Sequence, residues 1–382
     1  MAPNADANSD APNLTARNGT VGTMTRERIR LLVLYGGESA EHEVSCVTAA
    51  HVVRAIDPAK YAVTAVGIAE NGRWSISAEV ATALEAGPDA IPPRLDPSGG
   101  TPYEPSAALA QTGGTTERVV ALPLLHGPLG EDGTVQGLME LADVAYVGTG
   151  VLGSALGMDK AMAKRVLASA GIPQARAIAF DEFERSVGLE VRIVDELGLP
   201  CFVKPANMGS SVGVSKAHSR EELAAAIDLA LSYDSWVVAE EAVAGREIEV
   251  GVLGNEHPAA SVPGEIVPGD EFYSYDDKYV TDGAELLVPA PLSPDEADQV
   301  RELALRVFRT LRCQGLARVD FFYEEGGRGF LCNEVNTMPG FTPISMYPKL
   351  WAASGVPYPD LIDRLVTLAL ERHARRRRNT KH

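Results

Sequence analysis

The sequence predicts a mixed α/β protein of three domains, and three observations support that fold class. Two strand–helix–strand units near the N-terminus indicate a Rossmann-like domain, because parallel strands require a crossover helix between them. Later segments alternate strands and helices as α+β proteins do. The 382 residues suffice for two to three domains of about 150 residues. We expect domains at 27–150, 151–240 and 241–372, between a disordered tail at 1–26 and a basic tail at 373–382.

The first domain is predicted from those two units, which are joined by a Gly-, Pro-, Ser- and Thr-rich surface segment at 70–117. Its elements are, in order, a strand at 29–35, a turn at Gly36 and Gly37, a helix at 44–56, a strand at 61–68, a strand at 119–125, a helix at 135–141 and a short strand near Val147.

The remaining elements are predicted from periodicity and end signals. One helix should run from 154 to 170, because Gly171 and Pro173 are typical stop signals. Ser219 with Glu222, and Ser293 with Glu296, indicate capping boxes at two later helix starts. The other central elements are strands at 176–180, 201–204, 212–217 and 236–240 and a helix at 191–197.

Composition excludes several classes of function. The net charge is −18, and six cations lie in the last twelve residues, so the rest of the chain would repel a nucleic acid or an anionic membrane. The longest apolar run, at 144–158, is too short and too glycine-rich to span a bilayer. Four cysteines without a C-x-x-C pair indicate reduced thiols. We expect a cytoplasmic protein without nucleic-acid or membrane partners, whose Arg375 to Arg378 run is a solvated tail.

The segment at 315–341 carries the strongest chemical signal. It is predicted to form a hairpin with a turn at Gly326 and Gly327. Alternation places Arg318 and Asp320 on one face of the first strand, and Glu334 and Asn336 on one face of the second. Such oxygen donors suit Mg²⁺. The alternative is a solvated face with cross-strand salt bridges.

Other segments carry weaker signals, each with a structural alternative. Lys204 ends a strand before a small-residue loop that could approach a polyphosphate, although it could be a plain turn. Glu41 lies at a helix start where open α/β sheets bind ligands, with Ser39 as the predicted helix cap. His126 has a similar position, and Lys160 could simply be exposed. Glu240, Glu241 and Glu247 could hold a nucleoside or be solvated, and Lys278 and Tyr279 lie in a long polar loop that could be a lid.

Together these segments closely resemble the D-alanine–D-alanine ligase family of the ATP-grasp superfamily, over roughly residues 29–370. The resemblance is carried, in the family's order and spacing, by LYGGESAEHEVS, LHGPLGEDGTVQG, GMDK, VKPANMGSSVG, EFYSYDDKYV, GLARVDFF and NEVNTMPGFTPISMYP. It implies an ATP-grasp architecture with ATP between the central and C-terminal domains, and a homodimer.

The resemblance also assigns roles to matching residues. For the ATP phosphates it implies contacts by Lys160, Lys204, Lys278 and the loop with Ser210 and Ser211. For the adenine it implies contacts by Glu240, Glu241 and Val243, the last two through backbone groups. For the ribose it implies a contact by Glu247. For the metals it implies that two Mg²⁺ (or Mn²⁺) ions are held by Asp320, Glu334 and Asn336. For the first D-alanine it implies ammonium binding by Glu41, a hydrogen-bonded set of Glu41, Ser210 and Tyr279, and a position near His126. For the second D-alanine it implies that Ser345 binds the carboxylate. Arg318 and the Gly340 amide would form the oxyanion hole.

The implied activity is ATP-dependent synthesis of D-alanyl-D-alanine through a D-alanyl phosphate, for peptidoglycan precursors. A D-alanine–D-lactate ligase is the nearest alternative, and the Lys278–Tyr279 pair favours the dipeptide because D-lactate relatives lack it. A nicotinamide oxidoreductase is disfavoured because G-x-G-x-x-G is missing before the first helix. A non-enzymatic nucleotide sensor would not need Arg318.

Overall fold

The computed structural model describes residues 28–104, 118–268 and 285–376, which form three sheets flanked by helices. The predicted lid residues Lys278 and Tyr279, and both predicted tails except residues 373–376, lie outside the described residues. Within those residues, no helix is both long and apolar enough to cross a membrane. All four cysteines are buried and unpaired, as the sequence predicts.

The first sheet has six strands in the order β4-β3-β2-β1-β5-β6. Its parallel centre is confirmed: β1 pairs with β2 and β5, and β5 pairs with β6. The predicted surface segment supplies the antiparallel strands β3 and β4. The elements of this part are β1 (Ile29–Gly36), α1 (His42–Ala55), β2 (Tyr61–Ile68), β3 (Trp74–Ile76), α2 (Ala78–Ala86), β4 (Thr101–Pro102), β5 (Val119–Pro123), α3 (Thr134–Leu141) and β6 (Ala145–Tyr146).

Helix α1 begins earlier than predicted, with Glu41 and not Ser39 at the N-cap position. The Ser39 hydroxyl instead accepts a hydrogen bond from the Glu41 amide at 3.3 Å. The apolar β1 is buried along most of its length, which is the pattern of a parallel strand covered on both faces. Glu41 is therefore held where the β1 strand turns into α1, at the edge where such sheets bind ligands.

The single helix predicted at 154–170 is wrong. The chain forms α4 (Val151–Met158) and α5 (Lys160–Ser169), interrupted at Asp159. The Asp159 carboxylate accepts a hydrogen bond from the Met162 amide at 2.9 Å and so caps α5. Aspartate favours such a cap over a helix interior, and the break places Lys160 in the first turn of a new helix.

The second sheet is antiparallel, in the order β7-β10-β8-β9, with two helices packed on one face. Its elements are β7 (Ala177–Asp181), α6 (Val187–Leu197), β8 (Cys201–Pro205), β9 (Ser215–Ala217), α7 (Arg220–Leu231) and β10 (Trp236–Glu241). Strand β9 is shorter than predicted. The predicted capping box is only half formed, because Ser219 accepts from the Glu222 amide while the Glu222 carboxylate accepts from His218 N.

The third sheet is antiparallel, in the order β13-β12-β11-β14-β15. Its elements are β11 (Arg246–Gly254), β12 (Ala259–Val267), β13 (Glu285–Leu287), α8 (Pro294–Thr310), β14 (Gly315–Glu324), β15 (Gly329–Asn336), α9 (Met346–Ala353) and α10 (Tyr358–Arg376). The capping box of Ser293 and Glu296 at the start of α8 is confirmed. The β14–β15 hairpin and its glycine turn are also confirmed.

Helix α10 joins the third sheet to the first. Its buried Leu361, Leu365 and Val366 share one core with strand β1 and with Leu316 of β14. Of the run predicted to be a solvated tail, Arg375 and Arg376 lie at the exposed end of this helix, in surface ion pairs with Glu256 and Glu140, and the rest lies outside the described residues. The shared core holds the N-terminal sheet against the third sheet, so one cleft can draw residues from all three sheets.

Candidate active site

A cavity of about 1080 Å³ is lined by residues from all three sheets. Every predicted site residue that the structure describes contributes to its wall. These residues are Glu41, His126, Lys160, Lys204, Ser210, Ser211, Glu240, Glu241, Val243, Glu247, Arg318, Asp320, Glu334, Asn336, Gly340 and Ser345. Segments up to about 300 residues apart in sequence thus meet around one space.

The polar face of the β14–β15 hairpin forms one wall. Arg318 pairs with Asn336, and Asp320 with Glu334, so the predicted placement of these four residues on one face of the hairpin is confirmed. The Arg318 guanidinium donates to both oxygens of Asp320, from Nε at 2.8 Å and from Nη2 at 2.7 Å. Opposite side chains on one sheet face have Cβ atoms about 4.5–5.5 Å apart, which brings these four groups together.

Glu249 is a buried residue of this wall that sequence reasoning missed. It lies opposite Asp320 on β11, and its Oε2 is 3.1 Å from Arg318 Nε. Burial opposes the charge of Arg318, but Asp320 and Glu249 outweigh it and raise the pKa of Arg318 well above its ordinary value. The signal was the alternation of Glu247 and Glu249 in one strand, which places both on the cavity face.

The donor set of this wall fits Mg²⁺. Asp320 and Glu334 supply carboxylate oxygens and Asn336 an amide oxygen, which are hard ligands, and no histidine or thiol contributes among these three. Asn336 Oδ1 accepts from the Met338 amide at 3.0 Å, which holds its side chain in place. The solvated-face alternative does not describe Asp320, which is only 8% exposed.

Lys160, Lys204 and Glu240 form the second wall, and Lys164 lies against Glu240. Glu240 is 2% exposed, and both of its oxygens are held: Oε1 lies 2.9 Å from Lys164 Nζ, and Oε2 accepts from Lys204 Nζ at 2.7 Å. Burial would raise the pKa of Glu240, but the two lysine charges outweigh it and lower the pKa to about 2. The solvated alternative for Glu240 is therefore wrong. Lys164 was missed, although it follows Lys160 at the helical spacing of four residues.

Lys160 is not the exposed helix lysine of the structural alternative. Its Nζ donates to the Met208 carbonyl at 2.6 Å, beside the glycine loop, and burial lowers its pKa. Burial likewise opposes the charge on Lys204, but Glu240 outweighs it and raises the pKa of Lys204. Both ammonium groups therefore face an enclosed part of the cleft where an anion would be strongly attracted.

The link between β10 and β11 runs along the same cleft. Glu241 is also not solvated: Arg176 donates to its carboxylate from both N and Nε at 2.8 Å, and Arg328 donates from Nη1 at 2.5 Å. This double clamp occupies the Glu241 carboxylate, and Val243 beyond it also lines the cavity. Glu247 follows at the start of β11 and lines the cavity.

The small-residue loop closes over this space. Ser210 and Ser211 have φ values of +48° and +60°, an uncommon conformation for residues with a side chain. The Ser210 hydroxyl donates to Glu41 Oε1, which is the predicted contact between these two residues. A Cβ on Gly209 would lie 3.1 Å from Glu41 Oε2, so a small residue is needed for the loop to approach the first sheet.

His126 forms a buried pair with Glu131, which sequence reasoning also missed. His126 Nδ1 lies 3.0 Å from the Met338 carbonyl and 3.5 Å from Glu131 Oε1. Because a carbonyl only accepts, Nδ1 carries the proton. Burial raises the pKa of Glu131 to about 7 despite His126. Burial opposes protonation of His126, but Glu131 and Glu41 raise its pKa.

The start of α9 forms the last wall. Ser345 lies at the N-cap position, where helix amide groups and the helix dipole favour a carboxylate. Its hydroxyl accepts from the Thr342 amide at 3.2 Å. A Cβ on Gly340 would lie 3.1 Å from Ser345 Oγ, so the glycine keeps this corner open.

Comparison with known proteins agrees with this geometry. The family model for the D-ala D-ala ligase N-terminus matches residues 30–149, and the model for its C-terminus matches residues 166–367. The D-alanine–D-alanine ligase of Geobacillus kaustophilus is 49% identical over 354 residues, covering 89% of this chain and 94% of the relative. That of Shouchella clausii is 48% identical over 353 residues, covering 91% of this chain and 96% of the relative.

Solved structures are similar as well. The D-alanine–D-alanine ligase of Coxiella burnetii matches with a TM-score of 0.76 and 35% identity, over 92% of this chain and 96% of that chain. The VanG D-Ala:D-Ser ligase of Enterococcus faecalis matches with a TM-score of 0.77 and 32% identity, over 90% of this chain and 100% of that chain. These ligases have the ATP-grasp fold that the sequence predicts. The chain therefore belongs to the D-alanine–D-alanine ligase family.

Proposed function

We propose that this enzyme joins two molecules of D-alanine into D-alanyl-D-alanine at the expense of ATP, for peptidoglycan precursors. One observation carries the proposal: Arg318, the Asp320–Glu334 pair and the lysine-held Glu240 surround the same cavity as Glu41 and Ser345. The cavity thus combines cations for phosphates, an acid for an ammonium group and a helix start for a carboxylate.

The nucleotide would lie between the second and third sheets. Lys160, Lys204 and the loop with Ser210 and Ser211 would bind its phosphates, because these cations and small residues converge there. Glu240, with the backbone of Glu241 and Val243, would read the adenine, and Glu247 the ribose. The predicted phosphate contact of Lys278 stays a prediction, as does the lid with Tyr279.

Asp320, Glu334 and Asn336 would hold two Mg²⁺ (or Mn²⁺) ions, which when bound neutralise phosphate charge during transfer. Arg318 lies beside these ligands and is itself held by Asp320 and Glu249. Its guanidinium is therefore fixed before any substrate arrives, which is what a preorganised donor requires.

The first D-alanine would bind with its ammonium group at Glu41 and its body near His126. Its carboxylate oxygen attacks the γ-phosphorus, the bond to the bridging oxygen breaks, and ADP leaves with the electron pair. The hydrogen bond from Ser210 fixes the Glu41 carboxylate, so the ammonium group and the attacking carboxylate are held in one orientation.

The second D-alanine would bind with its carboxylate at Ser345 and the start of α9. Its neutral amine attacks the carbonyl carbon of the acyl phosphate, the carbon–oxygen bond to phosphate breaks with its electrons going to phosphate, and the departing phosphate takes up the proton that the amine loses. Arg318 and the Gly340 amide would donate to the oxyanion that forms in between. Water must be excluded meanwhile, because it would hydrolyse the acyl phosphate.

The D-alanine–D-lactate alternative is not favoured, since the most similar of the compared relatives are named D-alanine–D-alanine ligases. Phosphate release should be measured with ATP, Mg²⁺ and single D- or L-amino acids, and the product identified by mass. Release with D-alanine alone, and a dipeptide mass, supports the proposal. Effective competition by D-lactate near neutral pH, with an ester product, would refute it.

Three further properties are proposed: a cytoplasmic location, from the composition and the reduced thiols; a homodimer, from the family resemblance; and domains bounded near 150 and 240, from the order of the predicted elements. The three sheets lie within residues 29–146, 177–241 and 246–336, which supports those boundaries. Sedimentation of the full chain would test the dimer.

A further inference from the structure

Lys164 contacts Glu240 of the nucleotide cleft but does not itself line the cavity, and it has no role in the reaction described above. It lies on α5, one turn after Lys160, and 11% of its side chain is exposed. Helix α5 packs across β10 through Ala161 and Val238, and this packing carries Lys164 over the end of that strand. Its ammonium group lies 2.9 Å from Glu240 Oε1.

Glu240 therefore has two cations for one negative charge. Lys164 holds Oε1 and Lys204 holds Oε2. In the proposed function, Lys204 turns to a phosphate of the bound nucleotide and Glu240 reads the adenine. Glu240 would then be a buried carboxylate without a counterion, which is strongly unfavourable, unless Lys164 stays in place.

We propose that Lys164 is the permanent counterion of Glu240 and thereby sets the preference of the enzyme for adenine over a 6-oxo purine. This inference rests on the proposed function, in which Glu240 accepts a hydrogen bond from the 6-amino group. An ionised carboxylate can only accept, so it binds an amino group and repels a carbonyl oxygen at the same position. Lys164 touches neither the base nor the reacting atoms, so it is a positioning residue that acts through Glu240.

Removal of the Lys164 charge should change selectivity. Once Lys204 binds phosphate in such a variant, Glu240 takes up a proton and gains a donor that can serve a 6-oxo oxygen. Discrimination between the two purines then falls. A role of Lys164 in folding alone would instead lower the activity with both nucleotides to the same extent.

The test compares kcat/KM for ATP and ITP, with saturating D-alanine and Mg²⁺. ITP has a 6-oxo group and a proton on N1 where ATP has a 6-amino group and an unprotonated N1, and the N1 difference is common to all variants. The variants are Lys164→Met, Lys164→Arg, Glu240→Gln and the double variant. We expect the ATP/ITP ratio to fall about tenfold in Lys164→Met, as for loss of one hydrogen bond to a charged group. It should recover in part in Lys164→Arg and fall no further in the double variant than in Glu240→Gln.

The matched control is Arg165→Met, which removes a charge from the neighbouring, exposed position of α5 and should keep the ratio. Thermal unfolding verifies that each variant is folded, and Lys164→Gln replaces Lys164→Met if the latter is not. An unchanged ratio in Lys164→Met, with a reduced ratio in Glu240→Gln, would overturn the role of Lys164 alone. An unchanged ratio in Glu240→Gln would overturn the adenine contact of Glu240, and the inference with it.

Discussion

The Arg318→Ala variant tests the proposed oxyanion donor most directly. In the folded protein, the guanidinium lies 2.7–3.1 Å from carboxylate oxygens of Asp320 and Glu249, which are 8% and 4% exposed. Its removal leaves two buried acids side by side. Breaking one buried ion pair costs about 3–5 kcal/mol, and two acids left together should place this variant at the upper end of that range. Loss of one oxyanion donor should in addition lower kcat by about 10²–10³.

Mg²⁺ separates these two effects, because its proposed ligands include Asp320. The urea midpoint of Arg318→Ala should be low in EDTA and should rise on addition of Mg²⁺ by more than that of the unmodified protein. Turnover should not return with it. Binding of a fluorescent ATP analogue, dipeptide formation and the urea midpoint would be measured together, with Arg309→Ala as the control at an exposed arginine of α8.

Dipeptide formation by Arg318→Ala at the normal kcat would refute the oxyanion role. If the affinity for the ATP analogue fell by the same factor as kcat, the substitution would have disrupted the nucleotide site instead. Retention of nucleotide binding with lost turnover is the result that the geometry predicts.

Three further predictions concern other walls of the cavity. Asp159→Ala should lower stability by about 1 kcal/mol and raise KM for ATP, because α5 loses its cap and Lys160 its placement; Asp159→Asn should largely retain both, as urea unfolding and kinetics would show. Ser210→Ala should raise KM for the first D-alanine by about tenfold, because Glu41 loses a hydrogen bond to its charged carboxylate. An unchanged KM would show that the Ser210–Glu41 contact does not contribute to binding. Since burial raises the pKa of Glu131 from 4.5 to about 7, the protein should lose stability as pH rises through that window. Glu131→Gln should flatten this part of the urea-midpoint profile, and an unchanged profile would contradict it.

Local patterns predicted the elements that depend on neighbouring residues. The period-two alternation around Arg318 and Glu334 predicted the polar hairpin face, because successive strand side chains point to opposite sides. The capping box at Ser293 was also predicted from neighbouring residues, because all of its hydrogen bonds lie within four residues. The broken helix at Asp159 was missed because an aspartate within a helical pattern reads as an interior residue until its side chain is seen to cap.

The residues missed from the site depend on contacts distant in sequence. Glu249 reaches Arg318 from the neighbouring strand β11, and Lys164 reaches Glu240 from a helix packed on the sheet. Glu131 lies in the loop with His126, but its raised pKa follows from burial, which no local pattern reports. Solvation was one of the two alternatives for Glu240 and Glu241, and the structure shows ion pairs instead.

Short-range periodicity and ordered motifs were enough to predict the fold class, the family resemblance and the residue types that line the cavity. The balance of charges in the cavity could not be predicted in this way. The energy of a charge depends on its burial and on the few groups within about 4 Å of it, and here those groups come from different strands and from helix α5. Pairing of Arg318 with two acids, and of Glu240 with two lysines, is therefore a property of the assembled fold.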